Sequence, residues 1–79
     1  MRSETDAALA ERLIGEALAA VRWREIDLAA QPKGHPMKVE IARELRRQTP
    51  MRRRWIAKRL RMGSPSYVSH LLSSVDSKL

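Results

Sequence analysis

Two serines and a histidine near the C-terminal end of the chain are the residues whose types could support nucleophilic chemistry. Ser66 and His70 stand four positions apart, so one helical turn would place the hydroxyl and the imidazole side by side, with Ser69 next to them. Activation of a nucleophile also needs an acid that orients the imidazole and a pocket that excludes water. The surrounding sequence offers neither, and we therefore predict no catalytic residues.

The chain also lacks the residue patterns of metal and cofactor sites. It has no cysteine, and its two histidines, His35 and His70, have no spacing that builds a metal site. A loop that cradles phosphates needs several glycines close together, whereas the three glycines here are scattered along the chain. We expect no metal, no cofactor and no enzyme activity.

Residues 55–72 predict a helix, a tight turn and a second helix, a pattern typical of a helix-turn-helix that reads DNA in the major groove. The turn, Gly63-Ser64-Pro65, supplies a residue that tolerates positive φ, a helix cap and a first helical residue. Apolar residues face the core from both helices: Ile56, Ala57, Leu60, Val68, Leu71 and Leu72. The remaining polar residues of the second helix face outward and are candidates for contacting base edges: Ser66, Tyr67, Ser69, His70 and Ser73.

Charge is distributed unevenly along the chain, whose formal net charge is +7. Residues 1–31 carry four basic and six acidic side chains, a balance of −2, whereas residues 33–61 carry eleven basic and two acidic ones, a balance of +9. A cationic face of this kind indicates a polyanionic partner, the alternative being a solvated basic surface. Adjacent like charges favour the first interpretation, and we assign contacts with DNA phosphates to five residues: Arg52, Arg53, Lys58, Arg59 and Arg61.

Helical periodicity between proline and glycine residues predicts an all-α bundle of four or five short helices and no strand. Ser3 or Thr5 caps a long amphipathic first helix, in which Gly15 would permit close packing. A short helix is expected over 24–31. Pro36, Pro50 and Pro65 are expected as the first residues of the third, fourth and fifth helices. Thr49 is expected to cap the fourth helix.

The length of 79 residues corresponds to one domain over 1–79, in which 1–31 form a helical support and 36–74 form a basic helix followed by the helix-turn-helix. No apolar run approaches the roughly 20 residues that span a bilayer. The absence of cysteine fits a reducing compartment. We therefore expect a cytoplasmic, nucleoid-associated protein.

Three further residues in or near the predicted helix-turn-helix are Trp55, Tyr67 and Arg61. Trp55 is expected in the core with Met51, one helical turn away. Tyr67 either stacks inside the fold or donates a hydrogen bond to a phosphate. Arg61 stands near the position where a glycine often opens the turn of a helix-turn-helix, and the turn is about one residue longer than usual, which leaves the angle between the helices open.

Several segments resemble the C-terminal tail of certain bacterial REP-associated tyrosine transposases. The resemblance covers the chain from about Leu9 to Leu72, and its most specific part is WIAKRLRMGSPSYVSHLL, residues 55–72. It implies a DNA-binding appendage of an enzyme that transposes single strands. The chain contains no His-x-His pair, and Tyr67 lies in the helix-turn-helix, so neither the metal motif nor the nucleophile of that family is matched.

We therefore predict a non-catalytic DNA-binding module, the target-recognition tail of a transposase-like protein, with double-stranded or hairpin DNA as its partner and no membrane or small-molecule partner. The outward side chains of the second helix are short, so sequence preference should be modest or depend partly on DNA shape. One alternative is a protein-interaction adaptor that docks through the amphipathic first helix. Another is a protein that binds structured RNA or hairpins by shape.

Overall fold

A computed structural model describes the backbone of residues 5–76 and the side chains of residues 5–73. Within this range the chain is helical and contains no strand, which confirms the all-α prediction. The last helix continues two residues beyond the predicted limit of 74. The helices, in chain order, are α1 Asp6–Val21, α2 Glu25–Ala30, α3 Pro36–Gln48, α4 Arg53–Arg59 and α5 Pro65–Asp76.

Polar caps begin α1 and α5 where the sequence predicts them. The Thr5 hydroxyl accepts a hydrogen bond from the Ala8 N–H at 3.0 Å, while the alternative cap, Ser3, lies outside the described residues. The Ser64 hydroxyl accepts one from the Tyr67 N–H at 3.2 Å. Both α3 and α5 have proline as their first residue, because a position whose N–H has no helical partner loses nothing to proline.

The predicted start of the fourth helix is wrong. Thr49 and Pro50 do not open α4, because Thr49 instead ends α3: its hydroxyl donates to the Leu45 carbonyl at 2.7 Å and accepts from the Met51 N–H at 3.2 Å. The Thr49 side chain is buried in this role, and its backbone is extended. Regular helix resumes only at Arg53.

The core lies where the five helices meet. α5 packs against both α3 and α4, and α1 packs against α3. Of the residues predicted to be buried together, Leu71 and Leu72 are only partly buried, as are Met51 and Trp55. The buried apolar residues are Ala10, Ile14, Leu18, Leu28, Val39, Ile41, Ala42, Leu45, Ile56, Ala57, Leu60, Met62 and Val68.

Five residues connect α4 to α5, in agreement with the expected long turn. Arg61 adopts the left-handed conformation, with φ of 58°, and Gly63 has φ of 95°. For a residue with a side chain this conformation costs about 1–2 kcal/mol. The turn is secured by Met62, which is fully buried and whose N–H donates to the Ala57 carbonyl at 2.8 Å.

The expectation of close packing at Gly15 is wrong. Gly15 is exposed, and a Cβ atom built on it would have no neighbour within 4 Å. Because glycine is about 1 kcal/mol less favourable than alanine inside a helix, we expect Gly15→Ala to raise the free energy of unfolding by about that amount in urea denaturation. The matched control is Gly63→Ala, which we expect to destabilise because of the positive φ. A Gly15→Ala protein no more stable than the wild type would contradict this prediction.

Candidate nucleic-acid interface

The polar face of α5 is exposed, as predicted. Val68 is fully buried and fixes which side of the helix turns inward. Ser69 is half-buried at the edge of the exposed face, and Tyr67 is 38% exposed. The other three candidates for contacting base edges are exposed: Ser66, His70 and Ser73.

A groove with basic walls runs along one edge of this face, between α3, the start of α4 and α5. We call it the arginine groove. Sequence reasoning assigned only one of its basic residues, Arg53, to phosphate contact and missed the three from α3. Their i, i+3, i+4 spacing was the available signal, because it places all three on one side of a helix. The groove is lined by four arginines, two glutamates and three residues of α5: Arg43, Arg46, Arg47, Arg53, Glu40, Glu44, Ser69, Leu72 and Ser73.

Two arginines of the arginine groove have carboxylate partners on their own helix. Arg43 lies 3.6 Å from Glu40, and Arg47 lies 2.7 Å from Glu44. Hydrogen bonds from Arg47 and Gln48 lower the pKa of the Glu44 carboxyl, and the same contact with Glu44 raises the pKa of Arg47. Both pairs are at the surface, where such ion pairs contribute little to stability.

The other two arginines of the arginine groove are not neutralised in this way. Arg46 and Arg53 are exposed, and no ion pair involves either of them among residues 5–73. They approach α5 from different helices, Arg46 from α3 and Arg53 from the first turn of α4. The arginine groove therefore presents two uncompensated guanidinium groups beside the polar face of α5.

The predicted phosphate contact by Arg59 requires correction. Its guanidinium donates to both carboxylate oxygens of Glu11, at 2.8 and 2.9 Å, and to both of Glu25, at 3.0 and 2.8 Å. These bonds, first to Glu11 and then to Glu25, raise the pKa of Arg59, and they lower the pKa of Glu11. The side chain is 22% exposed. Arg59 thus ties α4 to α1 and α2, and four of its five N–H donors are directed at carboxylates.

The remaining predicted phosphate contacts lie in two other places. Lys58 and Arg61 are exposed on the wall of a second concavity, which they share with Glu11 and Glu25. Arg52 is exposed immediately before α4. The structure therefore divides the five predicted phosphate contacts, and only Arg53 lines the arginine groove with residues of α5.

Lys38 is the least expected member of the basic set, because it is fully buried. Its ammonium group donates to three backbone carbonyl oxygens, those of Leu28 at 2.6 Å, Gln31 at 3.0 Å and Arg61 at 3.1 Å. Burial, and to a smaller extent the charge of Arg61, lowers the pKa of Lys38. The carbonyl oxygens oppose this change, since a neutral amine would leave one of the three without a donor.

The carbonyl of Leu28 explains why a lysine is needed here. A carbonyl in a helix normally accepts from the N–H four residues later, and that position is Pro32, which has no N–H. Lys38 supplies the missing donor. It also fixes the α4–α5 turn through Arg61, so the end of α2 and the turn before α5 are both held by the same lysine of α3.

One of the two histidines, His35, makes its contacts at the start of α3. His35 caps α3 by accepting from the Met37 N–H at 3.0 Å, and its ring meets that of Trp23 edge-on, with 4.9 Å between the centroids. In the described part of the chain, no three metal-binding side chains come together, and no helix is long and apolar enough to cross a membrane. No protein-family model, curated protein or solved structure matches this chain.

Proposed function

We propose that this chain is a DNA-binding module that places α5 in the major groove of duplex DNA. The observation that carries the proposal is the position of Arg46 and Arg53, two uncompensated cations, beside the exposed polar face of α5. A B-DNA major groove is about 12 Å wide and admits one α-helix, whose flanks then face the phosphates. α5 has a polar outer face and cationic side chains along one edge, which is the surface expected of a helix that binds in the major groove.

In this arrangement the residues divide into two groups. Arg46, Arg53 and the neighbouring Arg52 contact phosphates and fix the position of the domain on the duplex. The side chains that reach base edges are Ser66, His70 and Ser73 on the exposed face and Ser69 at its edge. Because none of them makes the two-bond contacts of Arg, Asn or Gln, discrimination between sequences is modest and depends partly on DNA shape.

Two observations weigh against the alternatives. An adaptor that docks through α1 needs the apolar side of that helix, yet Ala10, Ile14 and Leu18 are buried in the core of this chain. The major groove of duplex RNA is deep and narrow, and a helix does not enter it. If α5 binds in a major groove, the nucleic acid is therefore DNA. The resemblance of residues 55–72 to the tail of REP-associated tyrosine transposases extends the proposal to target recognition for a transposase-like protein.

Selection of bound sites from a random pool of duplex DNA tests this function, with a pool of structured RNA run in parallel. We expect the wild type to enrich a short duplex motif. Ser69→Ala and His70→Ala should relax that motif, the stronger of the two by about 1–2 kcal/mol of discrimination, the lower part of the range for one base contact. His70 is exposed and Ser69 lies half-buried at the edge of the exposed face, and both changes remove only polar groups, so folding should be nearly unchanged.

The matched control is Arg12→Ala on α1, which removes a surface side chain away from α5 and should leave the motif intact. Enrichment of RNA instead of duplex DNA would favour the shape-recognition alternative. If Ser69→Ala and His70→Ala return the same motif as the wild type, α5 does not read bases.

A further inference from the structure

The loop between α2 and α3 meets the start of α5 at Gly34. A Cβ atom built on Gly34 would lie 2.7 Å from the hydroxyl oxygen of Tyr67 and 3.6 Å from the ring carbon that bears it. The first distance is a clash, whereas the second is ordinary van der Waals contact. Gly34 therefore leaves room for the Tyr67 hydroxyl, and this hydroxyl has no hydrogen-bond partner among residues 5–73.

A lysine from the same loop reaches the same end of α5. The side chain of Lys33 runs along Gly63, where a Cβ atom would lie 3.2 Å from Lys33 Cδ and 3.8 Å from its Nζ. Lys33 is exposed, and no ion pair involves it within the described part of the chain. One ammonium group and one phenol hydroxyl, each without a partner, thus lie near the first turn of α5.

These two donors lie across α5 from the arginine groove. Tyr67 and Ser69 are two residues apart, so their side chains leave the helix about 160° from each other around its axis. Ser69 lines the arginine groove, while Tyr67 faces the α2–α3 loop. The exposed polar face of α5 is therefore flanked by cationic donors on both sides.

We propose that Lys33 and Tyr67 form a second phosphate-binding site, which holds the DNA strand opposite the one held by the arginine groove. The inference rests on the proposed function, because it needs α5 in the major groove. A helix of about 10–12 Å diameter fills a groove about 12 Å wide, so donors on its two flanks face different strands. The Tyr67 hydroxyl donates to a phosphate oxygen, and Lys33 neutralises the charge. Tyr67 then acts on the backbone and not on base edges.

A double-mutant cycle between Gly34 and Tyr67 tests this site. The affinity for a duplex of about 20 base pairs is measured by fluorescence anisotropy for Gly34→Ala, Tyr67→Phe and the double variant. We expect each single substitution to weaken binding about three- to tenfold, the range of one hydrogen bond. The double variant should bind like Tyr67→Phe, because the alanine methyl group displaces only the hydroxyl.

Lys33→Ala provides an independent readout. Loss of one phosphate contact should flatten the slope of log K against log salt by about 0.9, whereas Arg12→Ala should leave the slope unchanged. The methyl group of Gly34→Ala meets the far end of a side chain, so the variant should fold, which circular dichroism verifies.

Two results would overturn the second site while the proposed function stands. One is wild-type affinity in both Tyr67→Phe and Lys33→Ala. The other is a double variant whose fold-loss of affinity equals the product of the fold-losses of Gly34→Ala and Tyr67→Phe, since the two residues would then act separately. If the wild type binds no duplex at all, the proposed function itself fails, and the second site fails with it.

Discussion

Replacing Lys38 with methionine is expected to lower the free energy of unfolding by about 1–3 kcal/mol, the cost of leaving the buried carbonyl of Leu28 without a donor. Methionine fills a similar volume but donates no hydrogen bond. The carbonyl of Leu28 would lose its donor in the interior, and the partly buried carbonyls of Gln31 and Arg61 would lose theirs closer to the surface. Each unsatisfied buried carbonyl costs about 1–3 kcal/mol, and a domain of this size has little stability to spare.

Denaturation in urea, followed by circular dichroism, measures this loss. The matched control is Lys58→Met, which makes the same chemical change on an exposed side chain and should alter the free energy of unfolding by less than about 0.5 kcal/mol. If Lys38→Met and Lys58→Met are equally stable, the three carbonyls do not depend on the ammonium group.

The double substitution Arg46→Ala and Arg53→Ala is expected to have the largest effect on DNA binding. Removing two phosphate contacts should flatten the slope of log K against log salt by about 1.8 for duplex DNA. At low salt we expect affinity to fall by about one to two orders of magnitude, which corresponds to about 1.4–2.8 kcal/mol for the two contacts together. Titrations at several salt concentrations measure both quantities.

A control with the same change in net charge separates local contact from general attraction. Arg12→Ala together with Arg24→Ala removes two arginines from the surfaces of α1 and the start of α2, outside the arginine groove. We expect this variant to retain most of the affinity. An equal loss in both double variants would mean that net charge, and not the arginine groove, determines binding.

The local parts of the fold were predictable because their causes are local. Proline at the first position of α3 and α5 and the Thr5 cap each satisfy or remove an N–H within one turn. The inward side of α5 follows from Val68 and the spacing of its apolar neighbours. Helix order, the all-α class and the exposed face of α5 could therefore be predicted from sequence.

The start of α4 could not be predicted, because Thr49 fits two positions equally well. A threonine followed by proline can begin one helix or end another, and the choice depends on whether its hydroxyl finds the Leu45 carbonyl. Similarly, one of the two positive-φ residues of the turn is Arg61, where glycine would be favoured; its carbonyl accepts from Lys38 on α3, and the next residue, Met62, is fully buried.

Contacts between residues far apart in sequence determine which basic side chains are bound within the fold and which are left to contact a partner. Arg59 stands in the basic segment, but Glu11 and Glu25 are 48 and 34 residues away, and no local pattern connects them. Lys38 likewise meets Arg61 at a separation of 23 residues. A charge pattern identifies the basic segment, but only the folded arrangement shows which of its side chains are bound internally.

The three bonds of Lys38 also determine which segments must accompany α4 and α5 if these helices are transferred to another protein. Residues 53–76 carry α4, the turn and α5, yet the carbonyl of Arg61 is held by a lysine on α3. A chimera that contains only these residues has the positive-φ turn residue Arg61 but lacks Lys38, which donates to its carbonyl. A unit transferred to another protein therefore has to include α2 and α3, so that Lys38 retains the carbonyls of Leu28 and Gln31, and also α1, whose buried residues belong to the same core.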